Sequence, residues 1–197
     1  MMADDAVSRD GHAAHRELAP DRRLAANRLG LWLFLASEGF LFSAIISSRF
    51  YLVGLDRPKE LNQAFGLALT AVLLASSYTA WSAEVAVRAG NRKRMLSNLG
   101  ATMALGLSFL GGVVWEWREG LVHFPPSTRF GSAFFTLIGF HAFHLVTGLI
   151  VLAFMYRMGR DGKFGPANTW PVEAAVKYWA FVELAWVFIF PTIYLVR

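Results

Sequence analysis

The chain has 197 residues, 55% of them apolar and 17% charged, with a mean hydropathy of +0.41 and a formal charge of +5. That composition excludes an ordinary soluble domain, and the absence of cysteine excludes disulfides, iron–sulfur clusters and thiolate metal sites. The positive charge does not make a nucleic-acid surface, because Lys and Arg lie in short polar stretches between apolar runs rather than in one patch.

Residues 1–28 are polar, carry five Arg and five acidic residues, and hold no apolar run. They read as a solvated cytoplasmic arm with no cleavable signal. His12 and His15 lie there with no third ligand beside them, which argues against a metal site. Residues 29–197 read as one domain of five transmembrane helices, an all-α polytopic bundle. The apolar runs are Leu29–Val53, Leu61–Val87, Met95–Trp115, Phe130–Tyr156 and Glu173–Val196. Each supplies the roughly 20 residues that a helix needs to cross a bilayer core. None alternates with period two, so a β-barrel is excluded. In lipid the backbone has no other way to satisfy its polar groups than a helix.

The loops are short. Asp56, Pro58 and Lys59 mark the first, Gly90 to Arg94 the second, Pro125-Pro126 the third and Gly159 to Pro171 the fourth, which places His123 in an outer loop. With the N-terminus inside, thirteen of the 19 Lys and Arg residues fall on the inner side. The distribution predicts a cytoplasmic N-terminus and a periplasmic C-terminus. Small residues recur at i+4 in three helices: Gly39, Ser43 and Ser47; Ala71, Ala75, Thr79 and Ala83; Gly100, Ala104, Ser108 and Gly112. Such rows let helices approach closely, and packing within the bundle is preferred here over contact with another subunit.

Four ionisable groups lie deep: Glu38, His141, His144 and Glu183. At about 1.5 Å per residue they sit some 14 to 22 Å from the inner helix ends, which predicts a polar cluster in the cytoplasmic half or against a lipid groove. Three readings compete. Haem ligation is disfavoured, because His141 and His144 are three residues apart on one face and cannot sandwich one porphyrin. A proton or transport pathway is the second reading. A structural role, with Glu38 hydrogen-bonded to a His or Ser, is preferred to both. No phosphate loop, metalloprotease or serine-hydrolase motif is present.

Helix 4 carries Arg129-Phe130-Gly131-Ser132-Ala133-Phe134-Phe135, then Gly139-Phe140-His141-Ala142-Phe143-His144-Leu145-Val146-Thr147-Gly148. Helix 5 carries Glu173-Ala174-Ala175, then Tyr178-Trp179-Ala180-Phe181-Val182-Glu183-Leu184-Ala185-Trp186. Upstream stand Leu31-Trp32-Leu33-Phe34-Leu35-Ala36-Ser37-Glu38, Gly90-Asn91-Arg92, Leu105-Gly106 and Glu116-Trp117. In this order the segments resemble subunit III of haem-copper respiratory oxidases, over residues 29–197. Ala142, Ala180, Glu183 and Val113 stand where the family usually has Gly, His, Asp and Gln. Five helices rather than seven correspond to its shorter bacterial form.

The resemblance implies a non-catalytic subunit of a proton-pumping cytochrome c or quinol oxidase in the bacterial inner membrane. Oxygen reduction would occur in subunit I. This chain would hold no cofactor, while haem and copper would lie in partner subunits. Its partners would be subunit I, subunit II and membrane phospholipid, with no nucleic acid. It would stabilise subunit I and support proton uptake. Glu38 matches the family's buried carboxylate, and His141 and His144 its helix-4 histidines. Arg92, Lys93 and Arg94 are candidates for lipid headgroups, with plain topology signalling as the alternative reading. An accessory subunit of a nitric oxide reductase and a free-standing transporter or channel are the competing functions. Transport ranks last, because no internal repeat and no mid-span Gly/Pro break is visible.

Overall fold

The computed structural model describes residues 20–55 and 61–196. His12, His15 and the first-loop residues Asp56, Pro58 and Lys59 lie outside the described residues. Five helices are long and apolar enough to cross a membrane, in agreement with the five apolar runs. They are α1 (Pro20–Val53), α2 (Gln63–Arg88), α3 (Arg92–His123), α4 (Arg129–Arg160) and α5 (Trp170–Phe190), followed by a π-helical turn over Pro191–Leu195.

The boundaries follow from local chemistry. Asn62, Asn91 and Thr128 cap α2, α3 and α4, their side chains accepting from the backbone N–H groups of Phe65, Arg94 and Gly131. Gly54, Gly90 and Gly162 take positive φ where α1, α2 and α4 end, a conformation that favours glycine. Ala89, Gly90 and Asn91 alone join α2 to α3, so the two run antiparallel as neighbours.

Two ends differ from the expected ones. α1 is already helical at Pro20, nine residues before Leu29. α3 continues past Trp115 to His123, which is therefore helical and not in a loop. Glu116, just past the apolar run, is buried and hydrogen-bonded within the bundle. The stop comes at Phe124, where the following Pro125 disfavours the helical conformation.

Residues 21–34 of α1 are mostly exposed, Leu29, Trp32 and Leu33 among them. From Leu35 onward the helices share one core. In lipid there is little hydrophobic drive between helices, so close packing holds them. Trp179 of α5 shows how. Its fully buried indole lies in a slot between Gly106 of α3 and Gly148 of α4. A Cβ at these glycines would come within 2.6 and 2.9 Å of the ring. Its Nε1–H donates to Ser76 Oγ of α2 at 3.0 Å, so four helices meet at this residue.

The i+4 rows of small residues pack within the bundle only in part: Ala83 is buried, Thr79 bonds Thr102 and Gly112 lies against Leu69, while most of the rest turns outward. Ala71, Ala75, Ala104, Ser108, Ser43 and Ser47 are exposed. The buried stripe of α2 runs through Gly66, Leu69, Leu73, Ser76, Ala80 and Ala83, and that of α3 through Leu99, Thr102, Gly106, Phe109 and Val113. These stripes pair large residues with small ones, which fills space that two small rows would leave empty.

Candidate functional site

The deep ionisable residues come from three helices. Glu38 of α1 meets His144 of α4, with Oε2 and Nε2 2.9 Å apart. His144 Nδ1 lies 2.7 Å from the carbonyl oxygen of Phe140, one turn earlier on its own helix. The Tyr178 hydroxyl of α5 donates to the carbonyl oxygen of His144 at 3.1 Å. Phe42, one turn beyond Glu38, packs its ring 5.1 Å from His144 and 6.1 Å from Phe181.

His141 is fully buried beside this pair. Its ring lies among those of Phe109 at 5.8 Å, Trp186 at 5.1 Å and Phe42 at 6.4 Å. Neither ring nitrogen has a hydrogen-bond partner among the described residues. An imidazole so placed is a neighbour of the aromatic core rather than a link in a hydrogen-bonded chain.

Glu183 does not join the pair; it turns toward α2. Its Oε1 accepts from Ser76 Oγ at 2.6 Å, the same hydroxyl that takes the Trp179 indole. Thr79 and Thr102 continue this polar seam between α2 and α3 at 2.8 Å, and Trp186 Nε1 donates to Thr70 Oγ1 at 2.9 Å. The four residues thus divide between a Glu38–His144 pair at α1, an isolated His141 and a Glu183–Ser76 pair at α2. Among the described residues no group of three His, Cys, Asp or Glu side chains could hold a metal ion.

At the basic α2–α3 turn, Arg92 is engaged by the protein. Its Nε donates to the Gly159 carbonyl at 2.8 Å, and its guanidinium also reaches the carbonyl of Arg160, so it caps the open end of α4. Lys93 and Arg94 are exposed.

Two arrangements were not anticipated from sequence. Tyr194, in the π-helical turn, donates to buried Glu116 Oε2 of α3 at 2.5 Å, while Gln63 of α2 donates to the Tyr194 carbonyl at 2.6 Å. Arg88 lies 2.6 Å from Glu84 and 3.4 Å from Glu173, and Lys177 lies 3.8 Å from both carboxylates, which ties α2 to α5. The i,i+4 spacing of Glu84 with Arg88 and of Glu173 with Lys177 was a usable signal. An apolar groove of about 370 Å³ also lies between α1 and α5, walled by Gly39, Phe42, Ser43, Phe181, Leu184 and Phe188. The hydroxyls of Ser43 and Ser47 donate to the carbonyls of Gly39 and Ser43 in their own helix, so they leave the groove's floor apolar.

Comparison with known proteins bears on what such a bundle is. Residues 23–196 match the family model described as cytochrome c oxidase subunit III. The chain is 30% identical to a probable cytochrome c oxidase subunit 3 of Nocardia farcinica, over 98% of both chains. It is 35% identical to cytochrome c oxidase subunit 3 of Alkalihalophilus pseudofirmus, over 85% of both. It is 33% identical to that of Bacillus sp. strain PS3, over 85% of this chain and 84% of the relative.

Proposed function

The chain belongs to the cytochrome c oxidase subunit III family, and from that premise we propose that it serves as the non-catalytic subunit III of a bacterial proton-pumping terminal oxidase. It is a multi-pass bacterial membrane protein and part of an oxidase complex. Beyond that, our reading is that it packs against subunit I, holds phospholipid and prolongs turnover by supporting proton uptake. Haem and copper would belong to the partner subunits.

The observation that carries the lipid part of this reading is the α1–α5 groove. It is long enough in volume for a stretch of acyl chain, its floor is apolar, and its rim residues Leu184 and Phe188 are exposed. A groove of that kind in a membrane helix pair is filled by lipid or by a partner side chain. Proton uptake draws its support from the Glu38–His144 pair, two ionisable side chains bonded inside the span, next in sequence and space to groove residues Gly39 and Phe42.

The test is a gentle purification of the tagged chain from native membranes, read by a reduced-minus-oxidised spectrum, by identification of the co-purified polypeptides and by lipid analysis. A haem spectrum with a large polytopic partner, oxygen uptake and retained phospholipid is the expected result. The same complex prepared without this chain should lose activity during sustained turnover. A colourless preparation without such a partner overturns the reading. Haems without oxygen uptake but with nitric oxide reduction would reassign the complex.

A further inference from the structure

The end of the bundle at which α2 begins and α3 finishes holds a cavity of about 320 Å³, separate from the α1–α5 groove. Phe65 of α2 and Trp115 and Phe124 at the end of α3 supply its aromatic wall. Glu116, Glu119 and His123 line it from α3, at spacings of three and four residues that place them on one helix face. Such a cavity has the volume of roughly ten liquid waters, so it suits an organic group rather than a bare ion.

Its polar groups are acceptors in want of donors. Glu116 is 7% exposed. Its Oε2 takes the Tyr194 hydroxyl, and its Oε1 has no partner among the described residues. A carboxylate oxygen taken out of water without a donor is costly, so the cavity calls for one. Glu119 is exposed, and among the described residues neither carboxylate forms an ion pair with Lys or Arg. His123 Nδ1 lies 2.9 Å from the Glu119 carbonyl oxygen, which can only accept, so Nδ1 carries the hydrogen. In the neutral ring Nε2 is then a bare acceptor. Acceptors from three side chains beside aromatic rings match a cation that can donate hydrogen bonds. An anion would meet two carboxylates and be repelled.

We propose that this cavity binds a primary ammonium group. Such a group carries a full charge and three N–H donors, one each for Glu116, Glu119 and His123. A quaternary ammonium keeps the charge and its attraction to aromatic rings but has no N–H to give. Primary ammonium has two sources here. One is the ethanolamine headgroup of a membrane lipid: Trp115, Leu121 and Val122 are exposed apolar residues at the same helix end and offer acyl chains a surface. The other is an amine dissolved in water. The inference rests on the geometry at this end of the bundle and not on the oxidase assignment.

The full-length chain in detergent is titrated with phosphatidylethanolamine, phosphatidylcholine and phosphatidylglycerol of identical acyl chains, and bound lipid is counted by native mass spectrometry. The expected result is phosphatidylethanolamine bound about tenfold more tightly than phosphatidylcholine, the scale of one hydrogen bond to a charged group. Glu119→Gln alters an exposed residue and should bring phosphatidylethanolamine down to the level of phosphatidylcholine without weakening phosphatidylglycerol. Glu116→Gln keeps an oxygen for the Tyr194 hydroxyl and should act in the same way. Glycerophosphoethanolamine, which has the headgroup and no acyl chains, tells the sources apart. If it displaces phosphatidylethanolamine, the ammonium alone carries the affinity and soluble amines are ligands; if it does not and the preference stands, the ligand is the lipid. Equal binding of phosphatidylethanolamine and phosphatidylcholine by the parent chain overturns the proposal. A preference that survives Glu119→Gln overturns it too, and so does a parallel fall of all three lipids in that variant, which would make the loss structural.

Discussion

The Tyr194 hydroxyl donates to Glu116 Oε2 at 2.5 Å, joining the π-helical turn after α5 to the last third of α3. Pro191 opens that turn without an N–H to give, and the wider coil that follows brings Tyr194 over α3. Replacing Tyr194 with Phe leaves a buried carboxyl without this donor. The expected cost is about 1–3 kcal/mol. Unfolding by graded addition of SDS would read it. Tyr194→Leu should add a packing loss to that figure, because the Tyr194 ring also stacks on Phe190.

Gly131 sits in the first turn of α4, folded back on the loop before it. A Cβ there would lie 2.2 Å from the Pro125 carbonyl oxygen, which is backbone and has no freedom to swing aside. Gly131→Ala should therefore destabilise by about 1–3 kcal/mol or more. Gly111 of α3 has nothing within 4 Å of the same position, so Gly111→Ala should be neutral or slightly stabilising. Comparing yields of folded protein for the two variants separates a steric glycine from an incidental one.

Arg92, Lys93 and Arg94 predict different losses although they are adjacent. Arg92→Ala uncaps the carbonyls of Gly159 and Arg160 and should lower stability in any lipid. Lys93→Ala and Arg94→Ala should leave stability unchanged and weaken association with anionic lipid by about 1 kcal/mol per charge. Native mass spectrometry with anionic and zwitterionic lipids reads the second effect, and thermal melts in zwitterionic lipid read the first. Anionic-lipid loss confined to Arg92→Ala would reverse the assignment.

Thirteen of the 19 basic residues predict an N-terminus in the cytoplasm and a C-terminus outside it. Terminal fusions settle the matter, with a fluorescent reporter that matures in the cytoplasm and a phosphatase that works outside it. Fluorescence from the N-terminal fusion and phosphatase activity from the C-terminal one is the expected pattern. The Arg92–Lys93–Arg94 cluster should then be protected from an impermeant reagent added to intact cells.

The five spans were legible because lipid leaves little choice: an apolar run of sufficient length must be a helix. Helix ends were less legible. Glu116 looks like the edge of the membrane until Tyr194 is seen to meet it from 78 residues away in sequence. Depth along a helix follows from its rise per residue, but azimuth does not. Nothing in the sequence says that Glu183 turns to α2 and Glu38 to α4, since each neighbour offers several Ser, Thr or His partners. The small-residue rows were a partial guide for a related reason: Ala83, Thr79 and Gly112 pack inward while Ala71, Ala75, Ala104 and Ser108 do not. Ala-rich helices contain i+4 rows by composition alone, while the true faces alternate large and small, as Trp179 does between Gly106 and Gly148.

That slot also orders events in time. The indole that fills it belongs to α5, and α2, α3 and α4 precede it in the chain. Until α5 inserts, the Gly106–Gly148 gap stands open and the Ser76 hydroxyl lacks both its indole and its Glu183 partner. Closure of this four-helix contact thus waits for α5 to insert. A chain halted before Trp179 should therefore remain an open set of helices, short of the one side chain that touches them all.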